Sequence, residues 1–154
     1  MTSYLLRPAT LADYAFLYDL HVATMKPYVT QVWGWDDQSQ AERFRQHSDP
    51  SRLHIVVADG QQIGVLEVEE HSADLFLANL RIMPQFQSQG WGTRILQDLL
   101  RRAQDASVPL TLQVLIVNHR ARRLYERLGL WVVQETPTHY RMSTHAEQAP
   151  AGSG

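Results

Sequence analysis

The 154-residue chain contains no cysteine. That excludes disulfides, thiolate catalysis and cysteine-ligated zinc, and a reducing, cytoplasmic location is expected from it. Lysine is nearly missing as well, Lys26 being the only one. No apolar run exceeds a few residues, which leaves no segment able to span a membrane as a helix. Met1 to Arg7 lacks a basic patch followed by an apolar stretch, so no secretory signal is expected. There is no basic excess either: 14 Lys and Arg stand against 16 Asp and Glu, which argues against broad nucleic-acid binding. None of the 7 histidines has a metal-ligand spacing such as His-x-x-x-His, and no metal is expected.

What is present is a globular composition, 44% apolar and 19% charged, in a chain long enough for one domain with a hydrophobic core. Arginines crowd the second half, where Arg94, Arg101, Arg102, Arg120, Arg122, Arg123 and Arg127 lie. Such a cluster suits phosphate-bearing ligands through the bidentate guanidinium fork. For most of them the solvated face of a helix is the favoured reading.

The pattern predicts a strand over Tyr4 to Arg7, then a capping-box variant from Thr10 to Asp13. A helix follows with Ala12, Phe16, Leu17, Leu20 and Ala23 on its apolar stripe, ending before Pro27. Tyr28 to Asp37 reads as irregular, and a second helix is predicted from about Ser39 to His47. Leu53 to Ala58 and Ile63 to Glu69 read as strands joined by an Asp59-Gly60 hairpin turn that needs positive φ. Leu75 to Met83 is a third strand of this meander, and Gly90 to Asp105 a helix. Leu110 to Val117 is a strand suited to burial on both faces. Asn118 caps a helix with Leu124, Tyr125 and Leu128 inward and Gly129 as its stop. Two last strands run over Trp131 to Glu135 and His139 to Met142. The order describes one α/β domain around a mixed sheet, residues 1–143, with a flexible tail over 144–154.

Gln87-Ser-Gln-Gly-Trp-Gly92 lies between a strand and a helix. Helix N-termini present unpartnered N–H groups and partial positive charge, and Gly90 and Gly92 let a diphosphate approach the backbone. The Gln87 side chain adds a possible donor and Arg94 a charge. The same spacing also suits a simple tight turn. It lacks the Lys-Ser/Thr ending of a nucleotide P-loop, so nucleotide binding is disfavoured.

The chain resembles the GCN5-related N-acetyltransferase (GNAT) family, in small single-domain bacterial-type form. The resemblance rests on Leu6-Arg-Pro-Ala-Thr-x-x-Asp13, Leu80-Arg-Ile-Met-Pro84 followed by Gln87-x-x-Gly-x-Gly92, Asn118-x-x-Ala-x-x-Leu-Tyr-x-x-Leu-Gly-Leu130 and the closing strand pair. It covers about residues 4–143, with Leu130 where the family commonly has Phe. It implies a mixed, mostly antiparallel sheet of about six to seven strands flanked by about four helices. It also implies an acetyl-CoA-dependent N-acetyltransferase acting on a primary amine of a small molecule or peptide. Main-chain groups of Leu80, Arg81 and Ile82 would pair with the pantetheine arm as an added strand. Gln87, Ser88, Gln89, Gly90, Trp91, Gly92 and Thr93 would hold the pyrophosphate, and Asn118 the pantetheine chain. Tyr125 would protonate the departing thiolate, where its stripe position alone favours packing.

The general base is open at this stage. Relatives of the family place a Glu where this chain has Gln113, or near Phe76 on the preceding strand. Glu67, Glu69 and, through water, Asn79 remain as candidates, although each reads more readily as an exposed sheet or turn residue, and a water chain is the other candidate base. Tyr28, Trp33 and Trp35 are candidate acceptor-binding residues, since aromatic faces beside carboxylates hold cationic amines. Packing of that loop onto the sheet is the competing reading. A non-catalytic acyl-CoA-binding regulatory module of the same fold is the alternative function. A monomer or homodimer is expected, with neither nucleic acid nor membrane as partner.

Overall fold

A computed structural model describes residues 3–145. Among them, seven strands alternate with four helices: β1 (Tyr4–Pro8), α1 (Tyr14–Trp33), α2 (Asp37–His47), β2 (His54–Ala58), β3 (Gln61–Glu70), β4 (Leu75–Ile82), α3 (Trp91–Asp105), β5 (Leu110–Leu115), α4 (His119–Arg127), β6 (Trp131–Glu135) and β7 (His139–Ser143). The strands form one mixed sheet in the order β1-β2-β3-β4-β5-β7-β6. Pairing of β1 with β2, β2 with β3, β5 with β7 and β6 with β7 is antiparallel. β4 and β5 are parallel, a geometry that requires a crossover, and α3 supplies it. The expected mixed, mostly antiparallel α/β architecture is the observed one.

Contacts divide the chain into two compact units, Met1–Glu67 with Asn79–Trp91 and Val68–Ala78 with Gly92–Gly154, so β3 and β4 each contribute to both. In the first unit Thr10 and Asp13 close a capping box ahead of α1. The core gathers Ala9, Leu17, Leu20, Leu53, Ile55 and Val65, with Phe16 and Phe44 packed against them. The hairpin between β2 and β3 turns on Asp59 and Gly60 at φ 53 and 77, the pair of left-handed residues that a two-residue turn of this hand demands.

Helix α1 departs from the sequence-based expectation. It does not stop before Pro27 but carries it inside and runs on to Trp33, so Tyr28 to Trp33 is helical rather than irregular. Proline removes one i to i−4 hydrogen bond and crowds the preceding turn, at about 3 kcal/mol in a helix interior. The helix survives because Val29, beyond the proline, is buried and ties the last turns to the unit. Termination comes at Gly34, at φ 77. On the predicted stripe Leu17 and Leu20 are buried, while Ala12 and Ala23 are exposed.

In the second unit α3 buries Ile95, Leu96, Leu99 and Ala103 along one face, as its periodicity predicts. β5 stops at Leu115, before the predicted Val117, because Asn118 N–H turns back to the Leu115 carbonyl at 2.9 Å. Buried Thr111 donates to Asp74 at 2.6 Å, which fixes the loop before β4 against β5. Leu124, Tyr125 and Leu128 on and after α4 are half-buried, and Gly129 at φ 97 follows the helix as its stop. Thr144, the first residue of the expected tail, is tied to Leu110 by hydrogen bonds in both directions. Residues 146–154 of that tail lie outside the described residues.

Candidate functional site

A cavity of about 510 Å³ opens in the first unit, walled by α1, α2, the turn before β2, and strands β3 and β4. Two candidates from the sequence face it from neighbouring strands: Glu67 on β3 and Asn79 on β4. The Asn79 amide donates to Glu67 Oε1 at 2.6 Å, and Arg52 Nε lies 3.6 Å from Oε2. With its side chain only 13% exposed, Glu67 is a carboxylate held in one orientation at a cavity wall. Trp33 also lines the cavity, although 60% exposed.

Glu69 has different surroundings. Its Oε1 lies 3.0 Å from His71 Nε2, and the other ring nitrogen of His71 lies 2.7 Å from Asp74. Hydrogen bonds to Asp74 first and Glu69 second raise the His71 pKa above the usual imidazole value. Gln113 on β5 is exposed, and Phe76 on β4 is half-buried with its ring 6.4 Å from His71. Tyr28 and Trp35 lie outside the cavity lining. Trp35 Nε1 donates to Asp37 at 2.7 Å, and Lys26 Nζ sits 5.6 Å from the Trp35 ring and 3.9 Å from Asp37. The aromatic-carboxylate pair expected to receive a cation therefore already holds the chain's own ammonium.

The cavity also gathers residues that sequence reasoning passed over: His21, Gln40, Arg43, Arg52 and the side chain of Arg81. Burial first, and the Arg81 charge second, lower the His21 pKa, against a raising hydrogen bond with Gln40. Its ring packs 5.1 Å from Phe44 and 5.9 Å from Trp35. One signal was available for His21: it stands four residues after Leu17, on the buried face of α1.

The glycine loop spans Gln87 to Trp91 in the same unit, and Ser88 and Gly90 in it adopt φ 62 and 88, in the left-handed region. A Cβ built on Gly90 would meet nothing within 4 Å, so the space above that backbone is open. Gln87 Nε2 is bound to the Ile82 carbonyl at 2.9 Å, which pins the loop to the end of β4. Arg81 is approached from the other side by Gly64, where a Cβ would fall 2.2 Å from the Arg81 carbonyl oxygen.

In the second unit the first turn of α3 holds Gly92, Thr93 and Arg94 and no carboxylate, an environment that favours an anion at a helix N-terminus. Asn118 caps α4 by accepting from Ala121 N–H at 3.1 Å, so its side-chain oxygen is engaged and its amide N–H groups remain as donors. Tyr125, half-buried in the second half of α4, accepts from Leu130 N–H at 3.1 Å through its main-chain carbonyl.

Comparison with known proteins adds the family. The acetyltransferase (GNAT) family model matches residues 14–130. No curated protein matches the chain. Among solved structures, the PaiA N-acetyltransferase of Thermoplasma acidophilum in complex with coenzyme A superposes with a TM-score of 0.74 at 15% identity, covering 92% of this chain and 98% of that one. The ribosomal-protein-S18-alanine N-acetyltransferase of Escherichia coli gives 0.63 at 18% identity, with 97% of each chain covered. Arabidopsis thaliana Naa50, in complex with a bisubstrate analogue CoA-Ac-MVNAL, gives 0.60 at 15% identity, covering 93% and 99%. At these identities the likeness is one of fold.

Proposed function

Because the chain belongs to the acetyltransferase (GNAT) family, we propose that it moves an acetyl group from acetyl-CoA directly onto a primary amine bound in the cavity that Glu67 and Asn79 face. The observation that carries this reading is the Glu67 carboxylate, fixed by Asn79 and Arg52 at the cavity wall. An amine arrives as an ammonium ion and must lose a proton before its lone pair can attack. Glu67 is the group that draws in the cation and accepts that proton, directly or through one water.

Acetyl-CoA supplies the activated thioester. The Ser88 to Gly90 backbone, left-handed at both Ser88 and Gly90 and open above Gly90, is assigned its diphosphate. Main-chain groups of Leu80 to Ile82 are assigned the pantetheine arm, and an N–H of Arg81 or Ile82 the carbonyl oxygen as negative charge develops there. Asn118 contributes its amide donors. Tyr125 donates its phenolic proton to the thiolate as the carbon–sulfur bond breaks. The relative solved with coenzyme A supports the choice of donor. The proposed setting is the cytoplasm, with the chain as a monomer or homodimer, and no described helix is long and apolar enough to cross a membrane.

The test follows release of free CoA thiol over a broad amine panel. Turnover with at least one amine is expected. Tyr125→Phe and Glu67→Gln should each lower kcat on the order of 100-fold, while the Kd for CoA, measured by calorimetry, stays unchanged. A Glu69→Gln variant run beside them separates the two carboxylates, since an equal loss there would remove Glu67 from the role of base. CoA binding with no release on any amine would replace the enzyme by a binding module.

A further inference from the structure

The charges lining the cavity in the first unit are unbalanced. Arg43, Arg52 and Arg81 face it, against two carboxylates, Asp49 and Glu67. Both acids are engaged: Asp49 Oδ1 accepts from the Ser51 backbone and hydroxyl at 3.0 and 2.7 Å, and Glu67 holds Asn79 and Arg52. Arg43 on α2 has no carboxylate partner among the described residues. The Arg81 charge also acts within this cavity, being the second cause of the lowered His21 pKa.

The aromatic and carboxylate pair considered for a cation, Trp35 with Asp37, lies outside the cavity lining and adjoins Lys26, so it gives a ligand in the cavity no second ammonium site. Guanidinium groups, in contrast, recognise carboxylates and phosphates through two parallel hydrogen bonds. A volume of about 510 Å³ is that of a small-molecule site.

Resting on the acetyl-transfer reading, we propose that the acceptor is a small molecule carrying both the reacting amine and an anionic oxygen group, a carboxylate or a phosphate. Its amine faces Glu67, and its anion is taken by Arg43 and Arg81. The two opposite ends fix one orientation. Reversing the ligand would set its anion against Glu67 and its ammonium against the arginines.

Binding to the protein saturated with CoA is measured by calorimetry for four series of equal chain lengths: amino carboxylates from glycine to 6-aminohexanoate, aminoalkyl phosphates, amino carboxamides and diamines. At one length, an amino carboxylate or aminoalkyl phosphate should bind at least tenfold tighter than its amide and diamine counterparts. The tighter of the two anionic series identifies the anion. Arg43→Gln should erase that tenfold preference without weakening the amide, and Arg43→Lys should retain part of it. Arg43 is exposed, so neither change threatens folding. Diamines or amides binding as tightly as the acids would overturn the proposal, as would tighter binding of a neutral peptide N-terminus or an equal loss for all ligands in Arg43→Gln. CoA-thiol release is recorded on the same panel. Anion-selective binding without release from any compound would leave the ligand class standing and sink the transfer reading. Release favouring diamines would do the reverse.

Discussion

At Asp13 one carboxylate serves two structural tasks. It accepts from Thr10 N–H at 2.8 Å, closing the capping box, and receives both terminal nitrogens of Arg7 at 2.8 and 2.9 Å. These bonds, Arg7 first, hold its pKa down at about 2 against an ordinary 3.8. A depressed acid stabilises the fold fully above its unfolded value and loses that contribution as pH falls through its folded one. Arg7→Ala should therefore destabilise the protein at neutral pH, by an amount that the exposure of the arginine keeps small. Urea midpoints of protein and variant should converge as the pH drops from 4 towards 2, and a gap as wide at pH 2 as at pH 7 would refute the ion pair's role. Arg7 and Asp13 are six residues apart and were legible together as part of one motif. Arg43 was not, because nothing local distinguishes a cavity-facing helix residue from a solvated one, and His21 showed only its place four residues after Leu17 on the apolar face of α1.

Elements are read well from sequence where the deciding interaction is short-range. The Asp59-Gly60 hairpin, the Thr10 and Asn118 caps and the Gly129 stop all appeared where residue types at fixed offsets required them. Helix α1 was misjudged at Pro27 because burial of Val29, a tertiary effect, outweighs the local penalty of proline. Gly64 passed unnoticed for a related reason: only strand pairing brings its Cα against the Arg81 carbonyl. Gly64→Ala would put a Cβ 2.2 Å from that oxygen and 2.9 Å from Ile82 Cδ1, so β3 and β4 must part locally. Destabilisation of about 1–3 kcal/mol is expected from such overpacking. If Arg81 and Ile82 hold the cofactor through their main chain, the KM for acetyl-CoA should rise in the same variant. Thermal melts and initial rates check both, and an unchanged KM in the destabilised protein would detach this stretch from cofactor binding.

For the whole molecule, ligand binding and stability are linked. CoA at 100 times its Kd should stabilise the fold by about 2.7 kcal/mol, seen as a raised Tm. If the loop holds the diphosphate, Gly90→Glu should abolish the rise, since it adds a Cβ at φ 88 and a negative charge there. Gly90→Ala, with a backbone penalty of about 1–2 kcal/mol but no charge, separates strain from repulsion. A full CoA-induced shift in a folded Gly90→Glu protein would move the diphosphate elsewhere. The sequence by itself determined most of the order of elements, the turns and caps, and the family. Those follow from propensities, periodicities and spacings that act over a few residues. The tertiary structure alone decided which carboxylate meets a cavity, Glu67 rather than Glu69, and that Lys26 fills the aromatic cation site. It also brought three arginines from separate elements to the lining of one cavity. Side chains distant in the chain have no periodicity that relates them, and only packing fixes which of them share a dielectric and a ligand.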